Sequence, residues 1–238
     1  LTVAPVNVTQ VSLGSPTALP AGSSAMQGGD VLGVLNAADG TLWTTSAASP
    51  SPSNLVDSAA LASNMGASAF VTGEDGSVYS LSNSGTLTTV KRSGSVDQAK
   101  TTQVTGIPDG ARLSITVVGD QVVALDSASN TLFLPGNKTL DLGAAGIEAD
   151  AVLQQAGPKD DSVLMATATS LVAIPLTGGQ PVITPAAEGS PTGIPAAPVR
   201  HEGCAYGAWS GSGAYVRSCK DPASNEQMVV DTLVSARE

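Results

Sequence analysis

The chain has 238 residues, 42% of them hydrophobic, enough for one large core. Only 3% are aromatic and 13% charged, so cohesion has to come from Val, Leu and Ala packed between sheets. A net charge of −10, with Lys91-Arg92 as the densest basic spot, excludes the basic stripe that nucleic acid or an anionic membrane surface requires, and no apolar run of roughly 18 residues offers a membrane-spanning helix.

Leu1 opens the chain inside a strand-like run, without Met or a secretory leader, and Glu238 closes it without a tail. The sequence therefore reads as a piece of a longer protein. Val6 to Val11 is either an outer strand that closes a ring or the remnant of an earlier repeat. Thr9-Gln10-Val11 resembles Thr102-Gln103-Val104, and both precede a repeat by a similar distance, which favours the outer-strand role.

Five repeats follow. In the first, the strand Val31 to Leu35 leads through the turn Asn36 to Gly40 into Thr41 to Thr45. Asp39-Gly40 is a strong hairpin signal, because Gly takes positive φ without steric cost. Ser49 to Ser53 reads as a connection and Asn54-Leu55-Val56 as the outer strand. The second repeat has Ala69 to Thr72, the turn Glu74-Asp75-Gly76, the strand Ser77 to Leu81, and a further turn into Thr86 to Val90. Its apolar and polar residues alternate as in half-buried strands. Lys91 to Lys100 is polar and reads as a surface insertion.

The third repeat has Ile115 to Leu125 broken at Gly119-Asp120, then Thr131 to Leu134 and Lys138 to Leu142. The fourth has Ala151 to Leu153, the turn Gly157 to Asp161, Ser162 to Met165, Ser170 to Ile174 and Gln180 to Ile183. The fifth has Ala197 to Arg200, Cys204 to Trp209, Ala214 to Cys219 and Gln227 to Val230.

One hairpin signature recurs: a small or hydroxyl residue followed by a large apolar one, at Thr41-Leu42-Trp43, Ser77-Val78-Tyr79, Thr131-Leu132-Phe133, Ser170-Leu171-Val172 and Ala214-Tyr215-Val216. Its starts are 36, 54, 39 and 44 residues apart. A strand-and-turn period of about 40 predicts an all-β fold, a β-propeller of four-stranded antiparallel blades. Residues 1–238 then form a single domain, either a five- or six-bladed ring or an arc of a seven-bladed one. A β-sandwich fits less well, because it needs only about seven strands.

Cys204 and Cys219 are the only cysteines. If Gly211-Ser212 is a two-residue turn of type II′, opposed residues sum to 423, and so do 204 and 219. Directly opposed antiparallel residues lie within disulfide range, so a Cys204–Cys219 disulfide is expected, and with it an oxidising compartment.

Catalytic patterns are weak. His201 is the sole histidine; it has no Gly-x-Ser-x-Gly elbow to serve and reads as a strand-end residue. Asp39-Gly40 and Asp75-Gly76 resemble half of a sialidase Asp-box, but the two residues touch where that motif separates them, so they read as turns. Asp160-Asp161 lacks the spaced oxygens of a calcium loop and reads as a solvated turn. Asp120, Glu148 and Asp150 are candidate glycosidase carboxylates if the fold brings them into one cleft. Asn7-Val8-Thr9 and Asn137-Lys138-Thr139 fit the glycosylation pattern. Trp43 and Trp209 read as core or blade-edge packing more readily than as sugar platforms. No catalytic, cofactor or metal site is expected.

The run Pro198 to Trp209 with Tyr215 to Cys219 resembles a segment of large secreted actinobacterial proteins. These carry a propeller-like region ahead of fibronectin type III or Ig-like domains. Val122 to Asp126 with Thr131 to Gly136, and Leu153 to Pro158, are similar to the same family. The resemblance covers the chain from about Gly28 onward and implies an extracellular or envelope setting, with the further domains beyond Glu238. Its motifs are structural, so it implies no active site. The expected function is a non-enzymatic cell-surface module for adhesion, scaffolding or protein interaction. The alternatives are carbohydrate binding or processing, and a cytosolic interaction propeller if the cysteines are reduced.

Overall fold

The computed structural model describes residues 1–36, 41–50, 69–92, 99–186 and 193–229. A narrow ribbon comes first: β1 (Thr2–Val3) pairs β4 (Thr17–Ala18), and β2 (Val6–Asn7) pairs β3 (Ser12–Leu13). Five antiparallel sheets follow, each formed from consecutive strands. The first holds β5 (Ser23–Gly28), β6 (Val31–Asn36) and β7 (Thr41–Ser46). The second holds β8 (Ala69–Thr72), β9 (Val78–Leu81), β10 (Thr86–Val90) and β11 (Lys100–Gln103). The third is β12 (Leu113–Val118), β13 (Gln121–Asp126), β14 (Thr131–Leu134) and β15 (Lys138–Asp141). The fourth is β16 (Val152–Leu153), β17 (Ser162–Ala166), β18 (Ser170–Pro175) and β19 (Val182–Pro185). The fifth is β20 (Val199–His201), β21 (Cys204–Trp209), β22 (Ala214–Cys219) and β23 (Glu226–Val229).

The first strands stack on one another: β5 on β8, β8 on β12, β12 on β16. The sheets thus radiate from an inner edge as propeller blades. At Gly28 a Cβ would run into the carbonyls of Thr72, at the end of β8, and of Gly73 just after it, so no side chain fits there.

Middle strands are covered on both faces, because successive residues turn toward opposite neighbours. On β9, Val78 joins Leu35, Leu42 and Phe70 at the seam with the first blade, while Tyr79 and Leu81 join Ile115, Val117 and Phe133 at the seam with the third. All four residues of β9 are buried, Ser80 included, so the expected half-buried strand is corrected to a fully covered one. On β13, Val123 and Leu125 face Val163, Met165 and Ile174 of the fourth blade. At the last seam Leu164, Ala166 and Leu171 meet Ala205, Trp209 and Val216.

The pairing also corrects the repeat register. Thr41, Thr131, Ser170 and Ala214 all begin a third strand, but Val78 begins a second one. The true counterpart in the second blade is Thr86-Leu87-Thr88, which fits the same hydroxyl-then-apolar signature. With starts at 41, 86, 131, 170 and 214, the spacings become 45, 45, 39 and 44. The 54-residue interval was an offset of one strand within a regular repeat. Lys100, at the end of the segment expected to be an insertion, is the start of β11, which pairs β10 from Lys100 to Gln103.

The N-terminal run is corrected as well. Thr102-Gln103 does belong to an outer strand, but Val6-Asn7 pairs Leu13-Ser12 within its own ribbon, and Thr9-Gln10-Val11 forms the ribbon's turn. The base of the ribbon covers the first blade: Val3 and Leu19 pack on Leu32, Val34 and Trp43. Asp39-Gly40, the segment Ser51 to Val56 and most of Lys91 to Lys100 lie outside the described residues.

Candidate functional site

Cys204 and Cys219 are joined by a disulfide, with Cα atoms 4.1 Å apart. They face each other across β21 and β22 in the expected register, which continues to Trp209↔Ala214. The turn differs from expectation. It is the four-residue stretch Ser210–Gly213, and its left-handed residue is Gly213 (φ 68°), not Gly211. Such a disulfide forms and persists in an oxidising compartment.

The same register builds a surface. Residues 205, 207, 209, 214 and 216 face the fourth blade, so Cys204, Tyr206, Tyr215, Arg217 and Cys219 share the opposite face. Val199 stands beside Tyr206, and Met228 beside Tyr215. The tyrosine rings pair at 6.3 Å and 44°. Arg217 reaches Glu226 at 3.4 Å and donates from Nε to the Ser224 carbonyl at 2.9 Å. Val199 and Met228 are 37% and 42% exposed. This half-exposed face combines two tyrosines and two aliphatic side chains with one ion pair and a cross-link at its end. The two-residue period from Cys204, which pairs the cysteines, also places Tyr206 and Tyr215 on it.

The other candidates are dispersed. His201 is well exposed and lies 3.7 Å from its neighbour Glu202, in the Glu202-Gly203 turn. Asp120 sits in the turn between β12 and β13, whereas Glu148 and Asp150 lie in the connection from β15 to β16. Because antiparallel strands alternate in direction, those two connections emerge at opposite ends of the blade. Glu148 instead accepts a hydrogen bond from Thr169 Oγ1 at 3.1 Å. Asp75 closes its own turn, accepting from Ser77 N and Oγ at 2.9 and 2.8 Å. Asn7 Oδ1 accepts from Thr9 N and Gln10 N, and Asn137 Oδ1 from Thr105 N. Trp209 is buried and Trp43 is packed against the ribbon, as core side chains. Among the described residues no three His, Cys, Asp or Glu side chains gather as metal ligands.

Asp160 is not the solvated turn residue expected. Its side chain is 7% exposed and faces Arg200, 8% exposed, at 3.5 Å across the seam of the fourth and fifth blades, with Lys220 at 3.8 Å. Ser162 Oγ and the N–H groups of Asp161 and Ser162 donate to it. Burial works to raise its pKa, but these hydrogen bonds and the Arg200 charge outweigh it and hold the carboxyl below the ordinary value. Arg200 also donates to Ser162 Oγ at 3.0 Å.

A groove of about 420 Å³ opens between the second and third blades. Tyr79, Leu81, Leu87, Val122, Ala124 and Phe133 form its apolar wall, and Asp120 and Gln121 stand at one end.

No family model and no curated protein matches the sequence. Solved structures do match the fold. A streptogramin B lyase superposes with a TM-score of 0.64 at 11% identity, over 97% of this chain and 76% of that one. A catalytically inactive histidine-to-alanine variant of virginiamycin B lyase from Staphylococcus aureus, with quinupristin, gives 0.60 at 12% identity, over 98% and 78%. Apo AztD from Citrobacter koseri gives 0.51 at 12% identity, over 97% and 70%. At such identities the likeness is one of fold, and it places this chain among β-propellers.

Proposed function

We propose that the chain is a non-enzymatic β-propeller module that binds another protein, in an adhesive or scaffolding role, within a longer extracellular or cell-envelope protein that also carries fibronectin type III or Ig-like domains. The observation that carries this reading is the outer face of the fifth blade. Tyr, Met and Arg are the residues enriched at protein interfaces, and Tyr206, Tyr215, Met228 and Arg217 stand together there. The disulfide fixes the hairpin that presents them, which lowers the ordering cost of association. Glycan processing by Asp120 with Glu148 or Asp150 is disfavoured by their placement at opposite ends of the blade. The lyase chemistry of the structural neighbours stays with those proteins.

The test is a photo-crosslinking residue in place of Met228, with a control at the exposed Asp109, in cells secreting the parent protein. A single protein adduct at position 228 and none at 109 supports the reading. Turnover of a defined glycan in a reducing-sugar assay, or no adduct at 228, overturns it.

A further inference from the structure

The groove between the second and third blades lies beside a strand edge that no other strand of the described residues pairs. β11 is the last strand of its sheet, and all four of its residues are exposed. Which of its backbone groups are free follows from the pairing. Val104 N donates to Gly85 O at 2.8 Å, which makes 85 and 104 a hydrogen-bonded pair. Hydrogen-bonded and non-bonded pairs alternate along an antiparallel ladder. Leu87↔Thr102 and Thr89↔Lys100 are therefore bonded pairs, while Thr86↔Gln103 and Thr88↔Thr101 are not. The N–H and C=O groups of Thr101 and Gln103 point outward from the sheet, toward no further strand of it.

Side chains from this edge reach the groove. Thr102, Gln103 and Val104 line it, opposite Pro135, Gly136 and Asn137 of the third blade. Leu87, Val122 and Phe133 form an apolar slot in its floor. Asp120 is the charged residue in its wall. Tyr79, 2% exposed, forms part of the same wall, and Lys91 approaches its ring at 5.8 Å from the centroid. An edge of backbone donors and acceptors, an apolar slot beside it and a carboxylate at one end form the recognition pattern of strand addition.

We propose that this groove binds an extended peptide segment, added as a further strand to β11, with one large apolar side chain in the slot and a basic side chain at Asp120. Main-chain hydrogen bonds to Thr101 and Gln103 supply the general affinity, and the slot and Asp120 supply the selection. The overall charge of −10 favours the same cationic partner. The site is on a different surface from the fifth-blade face and does not depend on it.

The test titrates the whole chain with acetylated, amidated heptapeptides of the pattern Thr-Leu-Thr-Arg-Thr-Val-Thr. Glutamate replaces arginine in a second peptide, serine replaces leucine in a third, and a fourth is N-methylated at alternate residues. The expected result is saturable shifts of the Thr101 and Gln103 amide resonances, with the arginine peptide about tenfold tighter than the glutamate one. The N-methylated and serine peptides should fail to saturate. Asp120→Asn should reduce the arginine preference to about twofold. Thr101→Pro, which removes an outward N–H and no sheet bond, should abolish binding with the unfolding midpoint unchanged. If that variant is destabilised, the N-methylated peptide tests the same hydrogen bonds. Equal binding of the N-methylated peptide, an arginine preference that survives Asp120→Asn, or no saturable shift with any peptide overturns the proposal.

Discussion

The indole N–H of Trp209 donates to the Thr167 carbonyl at 2.7 Å, across the seam between the fourth and fifth blades. Trp209 is 1% exposed, and its ring lies over Gly207, where a Cβ would come within 3.0 Å of it. Thr167 is itself a turn staple, since its hydroxyl accepts from the N–H groups of Thr169 and Ser170 at 3.3 and 3.0 Å. One side chain thus couples the packing of the last blade to a turn of the one before it. Trp209→Phe should cost about 1–3 kcal/mol, the penalty for a buried carbonyl left without its donor. Trp209→Ala should cost about 3–5 kcal/mol. Urea unfolding of the two variants checks this; equal losses would mean that the hydrogen bond contributes nothing.

The disulfide closes a loop of 15 residues, so its removal should cost about 3 kcal/mol or less. Cys204→Ala with Cys219→Ala should lower the unfolding midpoint by that amount and leave the other four blades paired as they are. Mass measurement after alkylation, with and without reductant, tests the bond itself. Identical masses would show two free thiols.

Much of the architecture was legible because turn chemistry and strand period agree over most of the chain. The fourth and fifth blades are legible strand for strand, since Gly178-Gly179 and the cysteine register mark their turns. The second blade's signature falls one strand out of step. Ser77-Val78-Tyr79 and Thr86-Leu87-Thr88 carry the same local pattern, and only pairing partners tell a second strand from a third. β5 escaped notice because Ser23–Gly28 is small and polar, with an exposed side that hides its place at the inner edge.

Site residues were less legible, because they depend on seams between blades. Nothing local to Asp160-Asp161 announces Arg200, forty positions later in the next blade. Asp126 likewise looks like any turn aspartate, yet it is fully buried and holds the β13–β14 turn and the start of β12 together. By contrast, the face of Tyr206 and Tyr215 was available from the same two-residue period that paired the cysteines.

The Asp160–Arg200 pair should behave as a buried ion pair whose halves depend on each other. Arg200→Met alone, or Asp160→Asn alone, should cost about 3 kcal/mol, because each leaves a desolvated partner behind. The double variant should lose clearly less than the sum of the two. Additive losses in a double-mutant cycle would show that the two side chains do not interact.

Acid should unfold the protein through these same carboxylates. For Asp126, burial raises the pKa, but the hydrogen bonds from Ser129 Oγ and the N–H groups of Arg112, Ala128 and Ser129 more than offset it, so the folded value lies below the ordinary one. Asp160 is depressed in the same direction. A carboxyl with a depressed folded pKa binds its proton more readily in the unfolded chain. Its contribution is therefore complete above the unfolded value near pH 3.9 and is lost as pH falls through the folded value. Stability should stay level with respect to these two groups from neutral pH down to about 5, then decline steeply below about 4. Asp126→Asn should cost about 1.5–3 kcal/mol at pH 7, where the charged acceptor is replaced by an amide with one oxygen. That difference should shrink as pH drops below 4, because the unfolded wild-type chain then takes up a proton that the folded carboxyl resists. Urea midpoints of both proteins at a series of pH values give the comparison, and a gap that stays constant from pH 7 to pH 2 would remove Asp126 as a source of acid sensitivity.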